Sequence, residues 1–270
     1  MQKIKKLGER FFFYNIDVVL MYISLSLIFL HRATGFNINI WEAFFIFLAN
    51  ALGVTGIYLL NKITDHEEDF LNGHKVKNYN NKIIYVLLSL LFLTATSLYF
   101  VSVKENILIY GLILFTFGTL YSFPKRYRLK KIFLMKNFIP AFCWFFSLSV
   151  LIFASTDNLS IINIMKMMIP LFILEFFFEI IWDLPDRKGD KLAGVQTLPV
   201  VLGFEYTQAF LAVLISSYFF YTDSIPNKLF CLFILVFIFL VKQETKKYIY
   251  HYFLLILTLA VNIIYFSKFF

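Results

Sequence analysis

Two groups of residues in this chain, mostly aspartates, have types and a spacing that could carry chemistry. Each group has helical spacing: Asn61, Asp65 and Asp69 form the first, and Asp183, Asp186 and Asp190 form the second. Carboxylates three and four residues apart share one face of a helix, and oxygens grouped in this way suit Mg²⁺ that carries a phosphate. Each group follows a long apolar run, where a charge is costly unless something binds it. The pattern indicates an enzyme that handles a diphosphate at the face of a membrane.

Each group has a simpler interpretation. The first is equally consistent with a solvated loop, because Glu67 and Glu68 are also acidic and would then face water. The second is consistent with the charged end of a helix, although Pro185 is expected to loosen that helix around a metal. Ordinary helix ends do not explain two matching groups, so together they favour a site for a metal and a diphosphate.

The composition indicates a membrane protein. Hydrophobic residues make up 60% of the chain and charged residues 16%, which excludes an ordinary water-soluble domain. A helix needs about 17–25 apolar residues to cross a bilayer. We predict an all-α polytopic membrane protein, a single domain over residues 1–270, with nine transmembrane helices: 16–32, 40–61, 83–103, 106–122, 133–154, 160–182, 199–220, 228–241 and 248–267.

Basic residues predict the orientation of these helices. With a cytoplasmic N-terminus, 20 of the 25 Lys and Arg residues, Lys136 among them, fall on the cytoplasmic side, as the positive-inside rule requires. The C-terminus is then outside, and both Asp groups lie on the cytoplasmic face. Loops that face an anionic leaflet explain the positive net charge, so no nucleic-acid partner is inferred. We expect a bacterial inner membrane, with the site facing the cytoplasm.

Three segments resemble the motifs of a known family. Its first acidic motif is similar to Asn61-Lys-Ile-Thr-Asp65-His-Glu-Glu-Asp69. Its second motif and the segment after it are similar to Asp183-Leu-Pro-Asp186-Arg-Lys-Gly-Asp190 and Gly194-Val-Gln-Thr197-Leu-Pro199-Val-Val-Leu-Gly203. Its tyrosine–lysine motif resembles Tyr121-Ser-Phe-Pro-Lys125, followed by Arg128-Leu-Lys130. The family is the UbiA superfamily of intramembrane prenyltransferases, of the 4-hydroxybenzoate polyprenyltransferase type, and the resemblance runs from about residue 15 to the C-terminus.

The resemblance implies nine helices around a central cavity that opens laterally to lipid. It also implies two Mg²⁺ ions between Asp65, Asp69, Asp186 and Asp190, with Asn61 and Asp183 alongside. These ions would bind the diphosphate of an isoprenoid donor, whose prenyl chain passes to a lipophilic, often aromatic, acceptor. The diphosphate leaves as an allylic carbocation forms, and Mg²⁺ with Lys or Arg neutralises the developing negative charge.

The loop after the fourth helix offers basic residues for this neutralisation. Lys125 is the first candidate for a direct contact with the diphosphate, and Tyr121 is a candidate hydrogen-bond donor. Arg128 and Lys130 are further candidates, but a role as positive-inside anchors fits their position equally well.

Two further acids lie deeper in the sixth helix. Glu179 and Glu175 precede Asp183 by four and eight residues, about 6 and 12 Å further into the membrane on the same face. Ionisable groups at that depth usually face the interior of a bundle. Glu179 is the stronger candidate to bind the acceptor, take its proton or stabilise a cation. The alternative is a protonated carboxyl that is hydrogen-bonded between helices, to Asn50 or Tyr58.

Two other functions fit the same residues less well. A terpene cyclase would use the same diphosphate site and quench the cation internally, without an acceptor. A cation transporter would need acids that continue to the outer face, but the deep acids stop at Glu175. The sequence does not indicate the acceptor, because Lys62 stands where many relatives carry Asp and the segment after Asp69 lacks the Arg-Pro element of several branches.

Overall fold

The structure, a computed structural model, contains only helices as regular secondary structure in the part of the chain that it describes. The described residues are 16–35, 38–72, 81–101, 106–122, 128–156, 159–221, 225–242, 245 and 247–266. Within these ranges there are eleven α-helices, one short 3-10 helix at Leu129–Lys131, and no strand. The predicted all-α class is therefore confirmed.

The α-helices follow the apolar runs of the sequence closely. They are α1 (Ile16–Thr34), α2 (Ile40–Thr64), α3 (His66–Leu71), α4 (Asn81–Val101), α5 (Ile107–Ser122), α6 (Met135–Ser155), α7 (Ile161–Leu192), α8 (Leu198–Leu202), α9 (Phe204–Tyr221), α10 (Ile225–Leu240) and α11 (Lys247–Phe266). The run predicted at 199–220 is divided between α8 and α9 at Gly203, whose φ of 90° interrupts the helix.

Among the described residues, three segments are long and apolar enough to cross a membrane by length and composition. These are Ile40–Asn61, Met135–Ser155 and Ile161–Leu192. Shorter apolar segments occur in α1, α5, α10 and α11. The described helices therefore fit an integral membrane protein, while the count of nine spans stays a prediction.

Two compact units can be distinguished in the chain. One comprises Met1–Arg32 with Leu202–Phe270, and the other Ala33–Val201. In the first unit, Gln208 of α9 donates to the carbonyl oxygens of Ile238 and Val241 at 2.6 and 2.8 Å. It thereby satisfies carbonyls at the C-terminal end of α10. The second unit contains both groups of acidic residues, which we call the first Asp cluster (Asn61, Asp65 and Asp69) and the second Asp cluster (Asp183, Asp186 and Asp190).

In the second unit, α6 lies between its neighbours and contacts α2, α5 and α7. A buried polar network crosses this core. The side-chain amide of Asn50 donates to the carbonyl oxygen of Ser147 at 3.1 Å and accepts from the Tyr99 hydroxyl, which links α2, α4 and α6. Asn50 is thus engaged in this network, whereas the sequence had offered it as a partner for Glu175 or Glu179.

Candidate active site

The first Asp cluster lies where the chain turns between α2 and α3. We expected Asn61, Asp65 and Asp69 to share the face of one continuing helix, and this is wrong, because α2 ends at Thr64 and Asp65 caps it. The Thr64 hydroxyl donates to the Asp65 carboxylate at 3.0 Å and to the backbone carbonyl oxygen of Asn61 at 3.3 Å. The second is a local bond of the kind that competes with a helix. The amide of Asp69 donates to the carbonyl oxygen of Asp65 at 2.7 Å. The two carboxylates therefore stay one turn apart despite the break.

Helix α5 is tied to this cluster at its C-terminal end. The Ser122 hydroxyl donates to the side-chain carbonyl of Asn61. The preceding residue, Tyr121, lines a cavity together with Asn61. Tyr121 therefore lies beside the first motif, and its role as a hydrogen-bond donor to the diphosphate stays a prediction.

Two basic residues neutralise the first cluster. Arg128 lies 2.5 Å from Asp65 and 2.6 Å from Glu68, and Lys130 lies 2.7 Å from Asp65 and also contacts Glu68. Glu68 is buried, so the alternative in which it faces water is wrong. Burial without these cations would leave an uncompensated charge.

The second Asp cluster lies on one face of α7, as predicted. Asp183, Asp186 and Asp190 are all buried. The expectation that Pro185 loosens the helix is wrong, because α7 continues without interruption to Leu192. A proline removes a single backbone hydrogen bond, and packing of the surrounding helix can compensate for that loss.

The first turn of α6 faces the second cluster. Lys136 lies 2.8 Å from Asp183 and 2.5 Å from Asp190. Asn137 donates through its side-chain amide to the other oxygen of Asp183 at 2.7 Å. The side-chain oxygen of Asn137 is buried and has no hydrogen-bond partner among the described residues.

The two clusters meet because α3 packs against α7. The closest approach is between Asn72, which directly follows α3, and Gly189, which lies between Asp186 and Asp190. A methyl group at Gly189 would stand 2.8 Å from the backbone nitrogen of Asn72, and the Asn72 side chain is closer still. Only glycine allows this approach.

The donor groups fit a hard divalent cation. They are Asp carboxylates and an unpartnered amide oxygen, and the Lys136 ammonium already stands between two of the acids as a positive charge. Hard oxygen ligands of this kind suit Mg²⁺. Within the described ranges, no three His, Cys, Asp or Glu side chains are grouped as a metal site, and basic side chains pair with Asp65, Asp183 and Asp190 instead.

A cavity of about 130 Å³ lies beside the first cluster. Helices α2, α5, α6 and α7 line it, with Asn61, Tyr121 and Glu179 as polar groups and Ile57 and Trp144 among the apolar ones. The prediction that Glu179 faces the interior is therefore confirmed. Glu175, one turn deeper, is buried.

One predicted site residue cannot be placed, and three residues of the site were not predicted. Lys125 lies outside the described residues. Glu68, Lys136 and Asn137 are in the site but were not predicted, since Lys136 had been counted only as a topology residue. No local pattern singles out Lys136, because its partners Asp183 and Asp190 lie on another helix.

Structures with the same fold are known. A UbiA homologue from Archaeoglobus fulgidus bound to GPP and Mg²⁺ is 16% identical, with a TM-score of 0.58 over 93% of this chain and 98% of that one. A structure reported for digeranylgeranylglyceryl phosphate synthase is 19% identical, with a TM-score of 0.62 over 99% and 98%. A UbiA homologue from Aeropyrum pernix K1 is 12% identical, with a TM-score of 0.59 over 90% and 97%. No curated protein sequence matches the chain significantly.

The fold and the paired Asp clusters define a helical membrane protein with an acidic site at the end of its helices. The sequence model of the UbiA prenyltransferase family matches residues 19–265. The chain therefore belongs to the UbiA prenyltransferase family, which confirms the predicted family and enzyme class.

Proposed function

We propose that this protein transfers a prenyl group from an isoprenyl diphosphate to a lipophilic acceptor within the membrane. The observation that carries the proposal is the close contact between Asn72 and Gly189, because it brings the two acidic motifs together. The relatives bound to DMAPP or GPP with Mg²⁺ support this choice of donor and cofactor.

The Asp side chains would hold the diphosphate through the metal. The proposed Mg²⁺ ligands are Asp65, Asp69, Asp186 and Asp190, with Asn61 and Asp183 alongside. When bound, Mg²⁺ supplies positive charge that stabilises the leaving diphosphate. Lys125 is proposed as a direct contact of the diphosphate, while Arg128 and Lys130 hold Asp65 in place by charge pairing.

The cavity between α2 and α7 is proposed to receive the reacting end of the acceptor. Glu179 is proposed to accept its proton, and Tyr121 to donate a hydrogen bond to the diphosphate. The apolar walls provided by Ile57 and Trp144 would keep water away from the allylic cation. Exclusion of water favours transfer over hydrolysis.

We also propose the finer topology, which is nine membrane spans in a single domain around a central cavity. The N-terminus is placed in the cytoplasm of a bacterial cell and the C-terminus outside. The proposal is supported by the described helices, which follow the predicted apolar runs closely, and by the sequence, because this topology would put 20 of the 25 Lys and Arg residues on the cytoplasmic side.

The metal assignment is tested by replacing single carboxylates. Asp69→Asn and Asp190→Asn should each lower diphosphate release from a prenyl diphosphate by about 100-fold or more, because a charged ligand is lost. Release is measured with Mg²⁺ on protein reconstituted in nanodiscs. Glu205→Gln, an exposed carboxylate in the first turn of α9, is the matched control and should leave release unchanged.

Full release by both Asp variants, with normal folding, would refute the assignment. Mass spectrometry of the products separates transfer from cyclisation, since a cyclic hydrocarbon or alcohol formed from the donor alone indicates a terpene cyclase.

A further inference from the structure

Lys136 provides the counter-charge of the second Asp cluster. Its ammonium bridges Asp183 and Asp190, at 2.8 and 2.5 Å. The side chains of these two acids are only 6% and 2% exposed, so their charges need a cation when no metal is present. The carboxylate of Asp190 that would hold a metal is therefore the one that holds this ammonium.

The cations of the first cluster are held differently. Arg128 and Lys130 each contact both Asp65 and Glu68, and their side chains are 6% and 1% exposed. Lys136 is 16% exposed. Glu68, which is not among the proposed metal ligands, gives Arg128 and Lys130 a permanent partner. Lys136 is paired only with acids of the second motif in the described contacts.

The neighbourhood of Lys136 would remain ordered if its ammonium moved. Asn137 holds Asp183 from the other side at 2.7 Å. Lys136 also lies in the first turn of α6, where the helix dipole disfavours a cation and favours an anion such as a diphosphate. Local electrostatics therefore favour release of the ammonium once a divalent ion takes the carboxylates.

We propose that Lys136 is an exchangeable internal counter-ion. Its ammonium pairs with Asp183 and Asp190 while the metal is absent, and it pairs with the diphosphate instead when the metal and donor bind. This inference rests on the proposed function. It predicts that Lys136 competes with the divalent ion in the absence of donor.

The test is a titration of Mn²⁺ into the full-length protein in nanodiscs without diphosphate. Binding is measured by the EPR signal of the Mn²⁺ that remains free. Lys136→Met should bind Mn²⁺ about tenfold more tightly than the unaltered protein, because the competing charge is gone. Lys136→Arg keeps the charge and should bind like the unaltered protein. Lys131→Met removes an exposed charge of the same segment and should also leave the affinity unchanged.

Thermal unfolding supplies the second readout. Without metal, Lys136→Met should unfold at a lower temperature than the unaltered protein, and saturating Mn²⁺ should remove most of that difference. An unchanged or weaker Mn²⁺ affinity, or an equal loss of stability with and without Mn²⁺, would overturn the inference. If the unaltered protein neither binds Mn²⁺ nor releases diphosphate, the proposed function itself fails.

Discussion

Glu68 of the first motif is paired with two cations, whereas one interpretation of the sequence had it facing water. It is buried between Arg128 and Lys130, and its contact with Arg128 measures 2.6 Å. Two cations share two acids here, Asp65 and Glu68, so the local charge is balanced without a metal. Glu68 thereby keeps the basic side chains in position beside Asp65, which is a positioning role.

Glu68→Gln should therefore destabilise the protein. Removal of one partner from a buried charge group costs about 3–5 kcal/mol, and the amide replaces part of the lost hydrogen bonding. The midpoint of thermal unfolding in detergent should fall clearly. Glu205→Gln, at an exposed position, should change stability by about 0.5 kcal/mol or less. Equal midpoints for the two variants would show that the Glu68 pairing contributes nothing measurable.

At the scale of elements, the contact of α3 with α7 decides whether the two motifs act together. The short helix α3 carries Asp69, and α7 carries Asp186 and Asp190. Gly189 makes the contact possible, because a side chain there would meet the backbone of Asn72. Backbone atoms cannot move aside as the end of a flexible side chain can, so the helices would have to separate.

Gly189→Ala should therefore affect the Mg²⁺ requirement of diphosphate release more than it affects the thermal stability of the protein. We expect the Mg²⁺ concentration for half-maximal diphosphate release to rise about tenfold, which corresponds to about 1.4 kcal/mol of lost binding. The control is Gly56→Ala, where the added methyl would stand 3.1 Å from the Phe92 ring in the contact of α2 with α4. That variant should lower thermal stability and keep the Mg²⁺ requirement, and the same Mg²⁺ requirement in both variants would contradict the proposed contact.

At the scale of the whole molecule, the distribution of basic residues predicts which helix ends face the cytoplasm. The C-terminal ends of α7 and α9 are predicted on opposite sides of the membrane. Leu192 and Tyr221 mark these ends and are 71% and 83% exposed. They are therefore suitable positions for reporting the orientation.

Single-cysteine variants at these positions test the topology. After Cys143 and Cys231 are replaced by Ser, Leu192→Cys should resist a membrane-impermeant maleimide in intact spheroplasts and react after lysis. Tyr221→Cys should react before lysis, because the positive-inside rule places it outside. Labelling of both positions, or of Leu192→Cys alone, in intact spheroplasts would reject the predicted orientation.

Much of the fold was predictable from apolar runs, because a helix in a membrane satisfies its own backbone groups and needs only a continuous apolar stretch. The run predicted at 106–122 is the helix Ile107–Ser122, and the run at 133–154 is Met135–Ser155. The break at Asp65 was not predicted, because it depends on a local bond from the Thr64 hydroxyl to the backbone carbonyl of Asn61. The continuity of α7 through Pro185 was also not predicted. A proline removes a backbone hydrogen bond and usually interrupts a helix, but α7 persists without that bond.

The sequence alone determined the helical class and the two acidic motifs, because these depend on composition and on spacing along the chain, and the resemblance of its motifs indicated the family. Only the tertiary structure decided which charges meet. The Lys136 ammonium reaches Asp190 across 54 positions of the chain, and Lys130 contacts Glu68 across 62. Such pairs depend on which helices pack together, so a count of basic residues assigned Lys136 to the membrane face while packing placed it between the acids of the site.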